Sequence, residues 1–182
     1  FIGLLNTHMD LAKSLGDDVR LGMFMAWHGI SYYMIGRPKQ AYDYLCDALA
    51  LAKKGNSRKV EGYACTWLTW TCNELGRFDD AEAYGQRAQQ IAGDFPSDQY
   101  LYFKSRGALS FLHYQKGQMP KTIADGELLL THGDQNANSR SKVIGHWIFA
   151  MVKGADGELL SAKMHSLKCI EACQDPLYTN FG

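Results

Sequence analysis

The sequence predicts an all-α protein, a right-handed α-solenoid of antiparallel helix pairs. Three observations lead to this prediction. Two interleaved series of glycines run through the 182 residues with a shared period near 40. Small residues follow the glycines of one series at helical spacing, as at Ala81, Gly85 and Ala88. The composition, 46% hydrophobic and 21% charged, is typical of a folded chain rather than a disordered one.

The two glycine series divide the chain into helix pairs. The first series marks the turn inside each pair and consists of Gly36, Gly76, Gly117 and Gly154, which are 40, 41 and 37 positions apart. The second marks the boundary between pairs and consists of Gly16, Gly55, Gly93 and Gly133, which are 39, 38 and 40 positions apart. Glycine can adopt the left-handed conformation that ends a helix, and the Asp or Asn after each boundary glycine can start the next one.

These marks predict one repeat array without an internal linker. The expected segments are 1–16, the second helix of a preceding repeat; 17–55, 56–93, 94–133 and 134–174, four helix pairs; and 175–182, the start of a further helix. The chain is therefore expected to be part of a longer protein. The predicted helices of the four pairs are 19–35 and 38–53, 58–75 and 78–92, 97–116 and 120–132, and 139–153 and 157–173.

Local signals support particular helix ends. Pro38 is placed at a helix start, where a missing N–H has little effect. Ser97 is the expected N-cap of the helix that follows Pro96, with Asp98 in its first turn. The most polar connection, 133–139, is expected to be the most mobile.

Charge and cysteine content restrict the classes of function. Nineteen basic and nineteen acidic residues cancel, which argues against nucleic acid or an anionic membrane as the main partner. No apolar run approaches the roughly 20 residues of a membrane span, and no signal-peptide pattern is present. The five cysteines form no Cys-x-x-Cys pair, so we expect reduced thiols in a cytoplasmic protein.

The turn and its small residues resemble the tetratricopeptide repeat family. The match consists of Leu75-Gly76-Arg77, an alanine five residues after the glycine (Ala81, and Ala41 in the first repeat), and a further small residue seven later (Ala88 and Ala48). The family period is 34, so these repeats are longer by about one helical turn, and they are similar to repeats of multidomain bacterial regulatory proteins. The resemblance weakens in the fourth repeat, where Leu159 replaces the small residue.

The resemblance implies a non-enzymatic interaction module or regulatory scaffold in signalling. In this family the first helix of each pair lines a concave face that binds a protein, a peptide or a neighbouring domain. Alignment on the turn glycine implies the partner-binding residues Met23, Ile30, Tyr33, Met34, Tyr63, Trp70, Asn73, Lys104, Phe111, Tyr114 and Ile148. This surface is apolar and aromatic, and internal packing of the same side chains is the alternative reading. The basic clamp with which some members grip a terminal carboxylate is absent, with only Lys104 basic.

Four other possibilities follow from the residues. A small apolar molecule in the groove would make the chain a sensing module. No nucleophile, phosphate-binding or dinucleotide motif occurs, so we expect no enzyme and no cofactor. The row His165, Cys169, Cys173 has ligand chemistry but lacks a fourth ligand, so we expect no metal site. Exposed helix faces at the ends make self-association possible. The remaining candidates, expected to pack between helices, are Trp27, Trp67, Trp147, His28, His113 and His146.

Overall fold

The computed structural model describes residues 2–174, and every regular element in that part of the chain is an α-helix. The helices of this part are α1 (Ile2–Ser14), α2 (Asp18–Met34), α3 (Pro38–Lys54), α4 (Arg58–Glu74), α5 (Phe78–Asp94), α6 (Gln99–Gln115), α7 (Met119–Gln135), α8 (Ser139–Ala155) and α9 (Leu159–Cys173). Consecutive helices pack against each other, as in an α-solenoid, which confirms the predicted fold class. The further helix predicted at 175–182 lies outside the described residues.

The helices recur at a nearly constant interval. Helices α2 to α5 start at positions 18, 38, 58 and 78, and α6 to α9 start at positions 99, 119, 139 and 159. Every helix from α2 to α8 has the same length, and the connections have three residues, or four between α5 and α6. Two such steps give the helix pair expected from the glycines. We call α2, α4, α6 and α8 the A helices, and α1, α3, α5, α7 and α9 the B helices.

The turns show which glycines end helices. Gly36, Gly76 and Gly117 have φ of 73°, 70° and 69°, as predicted. The prediction of Gly154 as the fourth turn glycine is wrong, because Gly154 lies inside α8 and Gly157 takes the turn with φ of 77°. The last interval of this series, from Gly117 to Gly157, therefore matches the first one, from Gly36 to Gly76.

The boundary glycines are also corrected in part. Gly16 has φ of 63°, but Asn56 rather than Gly55 takes the positive φ at the next boundary. Gly93 and Gly133 lie inside α5 and α7. A Cβ atom at Gly133 would lie 2.5 Å from the Cγ atom of Lys142. Glycine at this position therefore allows close approach of two helices and does not form a turn.

The two kinds of helix begin differently. The A helices have side-chain N-caps: Asp17 accepts from Val19 N and Arg20 N, Ser57 from Val60 N, and Asn138 from Ser141 N. The predicted cap Ser97 is wrong, because α6 begins at Gln99 and Asp98 Oδ1 accepts from Leu101 N at 3.1 Å. The B helices α3, α5, α7 and α9 follow a residue that makes no side-chain cap. The predicted polar connection 133–139 is reduced to positions 136–138, because α7 continues to Gln135.

Small side chains bring paired helices close together. Ala81, Gly85 and Ala88 are buried along one side of α5, as their spacing predicts. A Cβ atom at Gly29 of α2 would lie 2.5 Å from Leu45 Cγ and 3.1 Å from Ala41 O of α3. Small residues therefore allow α2 and α3 to approach closely, and the small residues of α5 are buried along one side in the same way.

The chain forms two compact units, residues 1–108 and 109–182, which we call the first and second unit. In the first unit α4 is the most deeply buried helix, with twelve of its 17 residues buried. In the second unit α9 has no buried residue. The five cysteines are free thiols. Among the described helices, none combines the length and apolar character needed to cross a bilayer.

Candidate binding surface

The A helices of the first unit carry a surface of aromatic and other large side chains, which we call the A-face. Contacts connect Tyr33, Tyr63, Trp67, Tyr100 and Lys104, and the A-face also includes Trp27 and Met34 of α2. Trp67 lies at its centre and is only 3% exposed. The Tyr33 ring meets the Trp67 ring edge-on at 5.4 Å, and Lys104 Nζ lies 5.1 Å from the Trp67 ring centroid. Three helices therefore contribute to one set of ring contacts.

The network continues along α6. The Trp67 Nε1–H group donates to the Tyr100 hydroxyl at 3.2 Å, and the Tyr63 and Tyr100 rings stack at 5.4 Å. The Tyr63 hydroxyl donates to Asp98 Oδ2 at 3.2 Å, and Lys59 Nζ lies 3.1 Å from the same oxygen. Asp98 thus joins the cap of α6 to the A-face, which fixes the Tyr63 ring relative to the start of α6.

The hydroxyl groups of Tyr33 and Tyr63 stay protonated. Burial raises the pKa of Tyr33, and the charge and hydrogen bond of Glu74 raise it further. Burial and the charge of Asp98 raise the pKa of Tyr63 in the same way. Both phenols therefore act as hydrogen-bond donors to carboxylates across the physiological pH range.

A groove of about 540 Å³ lies between α1 and α2 at one side of the A-face. Its lining residues are Ile2, Gly3, Trp27, Ile30, Ser31, Met34 and Ile35. Met34 is 70% exposed and Trp27 is 39% exposed, so two large side chains border the groove. The Ser31 hydroxyl donates to Trp27 O at 2.7 Å. The groove is therefore mainly apolar in character.

The predicted partner-binding residues differ in exposure: Met34 is exposed, four are buried, and the other six are half-buried, namely Met23, Tyr33, Tyr63, Lys104, Phe111 and Tyr114. Tyr33, Tyr63 and Lys104 belong to the A-face network, and Ile30 and Met34 line the groove. The buried members, each at most 9% exposed, are Ile30, Trp70, Asn73 and Ile148.

Asn73 Nδ2 donates to Ala108 O at 3.4 Å, which uses this side chain inside the first unit. Ile148 packs against Gly126 in the second unit. Also in the second unit, the centroids of the Phe111 and Trp147 rings are 5.4 Å apart, and Tyr114 is half-buried. Met23, in the first unit, is half-buried as well.

Two central residues, Trp67 and Tyr100, and the bordering Trp27 were absent from the predicted partner-binding residues. Trp27 and Trp67 occupy the same place, the tenth, in the successive A helices α2 and α4. This coincidence was available in the sequence and identifies a repeated aromatic position on successive A helices. The contact of Trp67 with Tyr100 depends on how α4 and α6 cross, which the repeat period does not determine.

Four histidines make contacts between paired helices. His28 is fully buried and stacks on Tyr44 of α3 at 4.5 Å, and neither of its ring nitrogens has a hydrogen-bond partner of good geometry. Burial lowers the pKa of His28, and the backbone of Leu5 opposes this effect. His113 Nδ1 lies 3.0 Å from Asp125 Oδ2. His146 Nδ1 lies 3.2 Å from His165 Nδ1, and the His165 ring stacks on Phe149 at 5.1 Å.

The potential metal ligands of α9 are used in helix packing. His165 contacts α8 through His146, and the Cys169 thiol lies 3.5 Å from Val143 O. Within residues 2–174, no group of three or more His, Cys, Asp or Glu side chains is arranged to hold a metal ion.

No protein-family model matches the sequence, and the search of curated proteins gives no match either. The arrangement of consecutive helices is that of a helical repeat, and membership of the tetratricopeptide repeat family stays a prediction from the turn and the small residues.

Proposed function

We propose that the chain is a non-enzymatic interaction module of the tetratricopeptide repeat type. It binds a protein, a peptide or a neighbouring domain of its own protein on the A-face and in the adjoining groove. The observation that carries this proposal is a fixed aromatic network bordered by two exposed large apolar side chains, Trp27 and Met34. Exposed apolar clusters of this kind mark interaction sites in folded proteins.

The proposed mechanism is binding by a preorganised surface. The rings of Tyr33 and Tyr63 are held by carboxylates, and Trp67 is held by Tyr100. Rings that are fixed before binding lose little conformational entropy when a partner arrives. Trp27 and Met34 then supply the apolar area that the partner covers, and Lys104 supplies one positive charge beside it.

The proposed role is that of a regulatory scaffold in the cytoplasm, where the free thiols of Cys65 and Cys72 would remain reduced. Burial raises the pKa of Cys65 to about 12 and that of Cys72 to about 11. Both thiols are therefore unreactive structural groups at neutral pH, which suits packing inside a scaffold better than thiol chemistry.

Selection of peptides from a displayed random library on the wild-type chain tests the proposal. We expect the affinity of selected peptides to fall at least about tenfold in Met34→Lys and in Trp27→Ala, because each change removes an apolar contact at the groove. Leu128→Lys is the matched control, since Leu128 is 46% exposed but belongs to α7. Failure to select peptides, or affinities that Met34→Lys leaves unchanged, would count against the A-face.

The groove itself supports a second candidate, a module that senses a small apolar molecule. Its volume of about 540 Å³ lies within the range of small-molecule sites. Gly3 lines the groove, and a Cβ atom there would meet no atom within 4 Å, so we expect Gly3→Leu to place a larger side chain at the groove and reduce its volume. Apolar compounds that raise the melting temperature of the wild type but not of Gly3→Leu would favour sensing. Compounds that act equally on both would argue against it.

A further inference from the structure

The last helix of the second unit has an exposed apolar stripe. Leu160, Met164 and Leu167 of α9 are 75%, 52% and 55% exposed. Their spacing of i, i+4 and i+7 places them on one side of the helix. The opposite side carries the half-buried Ala162 and Cys169, and Cys169 contacts α8. The stripe therefore points away from the helix on which α9 packs.

Because the helices recur at a regular interval, the positions equivalent to this stripe can be identified in the other B helices. Equivalent positions, three in each helix, are Lys39, Asp43 and Cys46 in α3, Asp79, Ala83 and Gln86 in α5, and Pro120, Ala124 and Glu127 in α7. Eight of these nine residues are exposed, and only Cys46 is half-buried. Each of these B helices is followed by another helix, yet this side remains open to solvent. A helix pair that followed α9 in the same register would thus leave Leu160 and Met164 uncovered and would cover Leu167 only in part.

Ring contacts confirm the equivalence of positions in α3 and α9. Tyr44 of α3 stacks on His28 of α2 at 4.5 Å. The same register places His165 at the Tyr44 position and Phe149 at the His28 position, and these two rings stack at 5.1 Å. In the first unit the imidazole is on the A helix and the phenol is on the B helix, whereas in the second unit the phenyl ring is on the A helix and the imidazole is on the B helix. The two positions that form the contact are the same. The equivalence of the stripe positions in α9 and α3 is therefore supported by a ring contact as well as by their distance from the helix start.

The residue types at these positions differ between α9 and the other B helices. Polar, charged or small side chains predominate at the nine equivalent positions, whereas α9 has two leucines and a methionine. Leucine and methionine on a solvent-facing side are not required by packing within the array. Apolar side chains at this spacing are typical of a helix that packs along another helix.

We infer that the stripe Leu160, Met164 and Leu167 is a docking surface for an amphipathic helix with acidic flanks. At about 100° per residue, Lys163 lies to one side of the stripe and Lys168 to the other, and the exposed Glu171 ends the stripe one turn after Leu167. Both lysines are exposed. Glutamates beside the apolar anchors of a partner helix would meet these two ammonium groups.

A second copy of the chain fits the stripe less well. Pairing α9 with another α9 would bring two further lysines to the flanks, where like charges repel. A single partner helix of opposite flank charge matches the charge of the stripe.

Two synthetic helical peptides test this inference on the full chain. Both have leucines at heptad positions a and d, and one has glutamates at e and g where the other has lysines. We expect fluorescence anisotropy to show binding of the glutamate peptide, at least about tenfold tighter than the lysine peptide. Met164→Glu should weaken this binding at least about tenfold, while Leu128→Glu, the exposed control on α7, should leave it unchanged.

Charge reversal provides the second arm. Lys163→Glu combined with Lys168→Glu should reverse the preference and favour the lysine peptide. Circular dichroism of each variant confirms that its helix content is that of the wild type. Met34→Lys on the A-face should have no effect on peptide binding, which separates this site from the proposed function.

Four results would overturn the inference. The first is absence of binding of either peptide to the wild type. The second is equal binding of the two peptides. The third is a wild-type dimer in sedimentation analysis that Met164→Glu dissociates, which would make a second copy the occupant. The fourth is a tenfold rise in peptide affinity when residues 175–182 are deleted, which would make the chain's own segment the occupant.

Discussion

His165 of α9 and His28 of α2 lie at the same type of contact between an A helix and its following B helix. Each stacks on an aromatic ring of the paired helix, Phe149 and Tyr44 respectively. Their polar surroundings differ, because His165 meets the imidazole of His146 whereas the His28 nitrogens have no hydrogen-bond partner of good geometry. The two positions therefore respond differently to pH and to substitution.

The His146 and His165 pair should make the second unit less stable in acid. Burial lowers the pKa of His146, and the charges of His165 and Lys168 lower it further; burial and the Lys168 charge lower the pKa of His165. An unfolded histidine binds a proton near pH 6.5, before the folded pair does. The free energy of unfolding therefore falls as the pH drops below about 6.5 and levels off below the folded pKa values.

Urea unfolding at pH 7.5 and at pH 5 measures this effect. His165→Phe should make the loss of unfolding free energy between pH 7.5 and pH 5 smaller than in the wild type, because the new ring still stacks on Phe149 but cannot be protonated. His8→Gln, at an exposed position of α1, is the control and should behave as the wild type. An identical pH dependence in wild type and His165→Phe would show that the pair does not control stability.

His28→Phe should stabilise the first unit at neutral pH. The equivalent position in the second unit is Phe149, so an aromatic ring without nitrogens fits this contact. Burial of a polar group without a hydrogen bond costs about 1–3 kcal/mol, and the substitution removes this cost while it keeps the stacking on Tyr44. Urea unfolding measures the difference, and His28→Ala should lower stability because it leaves a cavity. A loss of stability in His28→Phe would mean that a nitrogen is hydrogen-bonded in solution.

At the scale of elements, the repeated unit is one five-turn helix with one three-residue connection. The order of the helices could be predicted from the sequence, because glycine and small residues recur at a fixed interval. The same pattern placed the fourth turn at Gly154 instead of Gly157, because both glycines follow an apolar helix and both can adopt a positive φ. It also treated Gly133 as a turn residue, since close approach of α7 to Lys142 cannot be seen in one segment alone.

The candidate surface could be predicted only in part for a related reason. The resemblance to tetratricopeptide repeats, through alignment on the turn glycine, implied that Tyr33, Tyr63 and Lys104 belong to one face. Whether Trp67 or Trp70 lies at the centre of the network depends on the angle between α4 and α6. That angle is set by packing of side chains from both helices, which no repeat period specifies.

The turn assignment predicts opposite effects of alanine at two nearby glycines. Gly157→Ala should lower the free energy of unfolding by about 1 kcal/mol, because φ of 77° is strained for a residue with a Cβ atom. Gly154→Ala should be neutral or raise it by up to about 1 kcal/mol, because Gly154 is helical and no atom lies within 4 Å of an added Cβ.

Chemical denaturation of the two variants beside the wild type provides the measurement. The same loss in both variants would contradict the assignment of the turn to Gly157 alone.

At the scale of the whole molecule, burial is unequal among the helices. Twelve residues of α4 are buried, one residue of α1 is buried, and none of α9. In repeat arrays each helix is stabilised mainly by its nearest neighbours. Amide protons of a helix with few buried contacts exchange through local opening rather than global unfolding.

Hydrogen exchange should therefore be slowest in α4 and faster in both α1 and α9. Mass spectrometry of peptides from each helix, corrected for intrinsic exchange rates, provides the measurement. A difference of about 2 kcal/mol or more in opening free energy between α4 and α9 is expected, because local opening spans values from near zero up to the global stability. Uniform protection along the chain would instead indicate one cooperative unfolding unit.

The regular helix step also restricts how the length of such a chain can change in evolution. Gain or loss of two steps exchanges one complete helix pair and keeps every A helix capped by a side chain and every B helix after its glycine turn. Gain or loss of a single step would place an uncapped B helix where a capped A helix packs. Duplication of whole helix pairs is therefore the change in length that disturbs this array least. The connection between α5 and α6 has one additional residue, which shows that a connection tolerates a single-residue insertion.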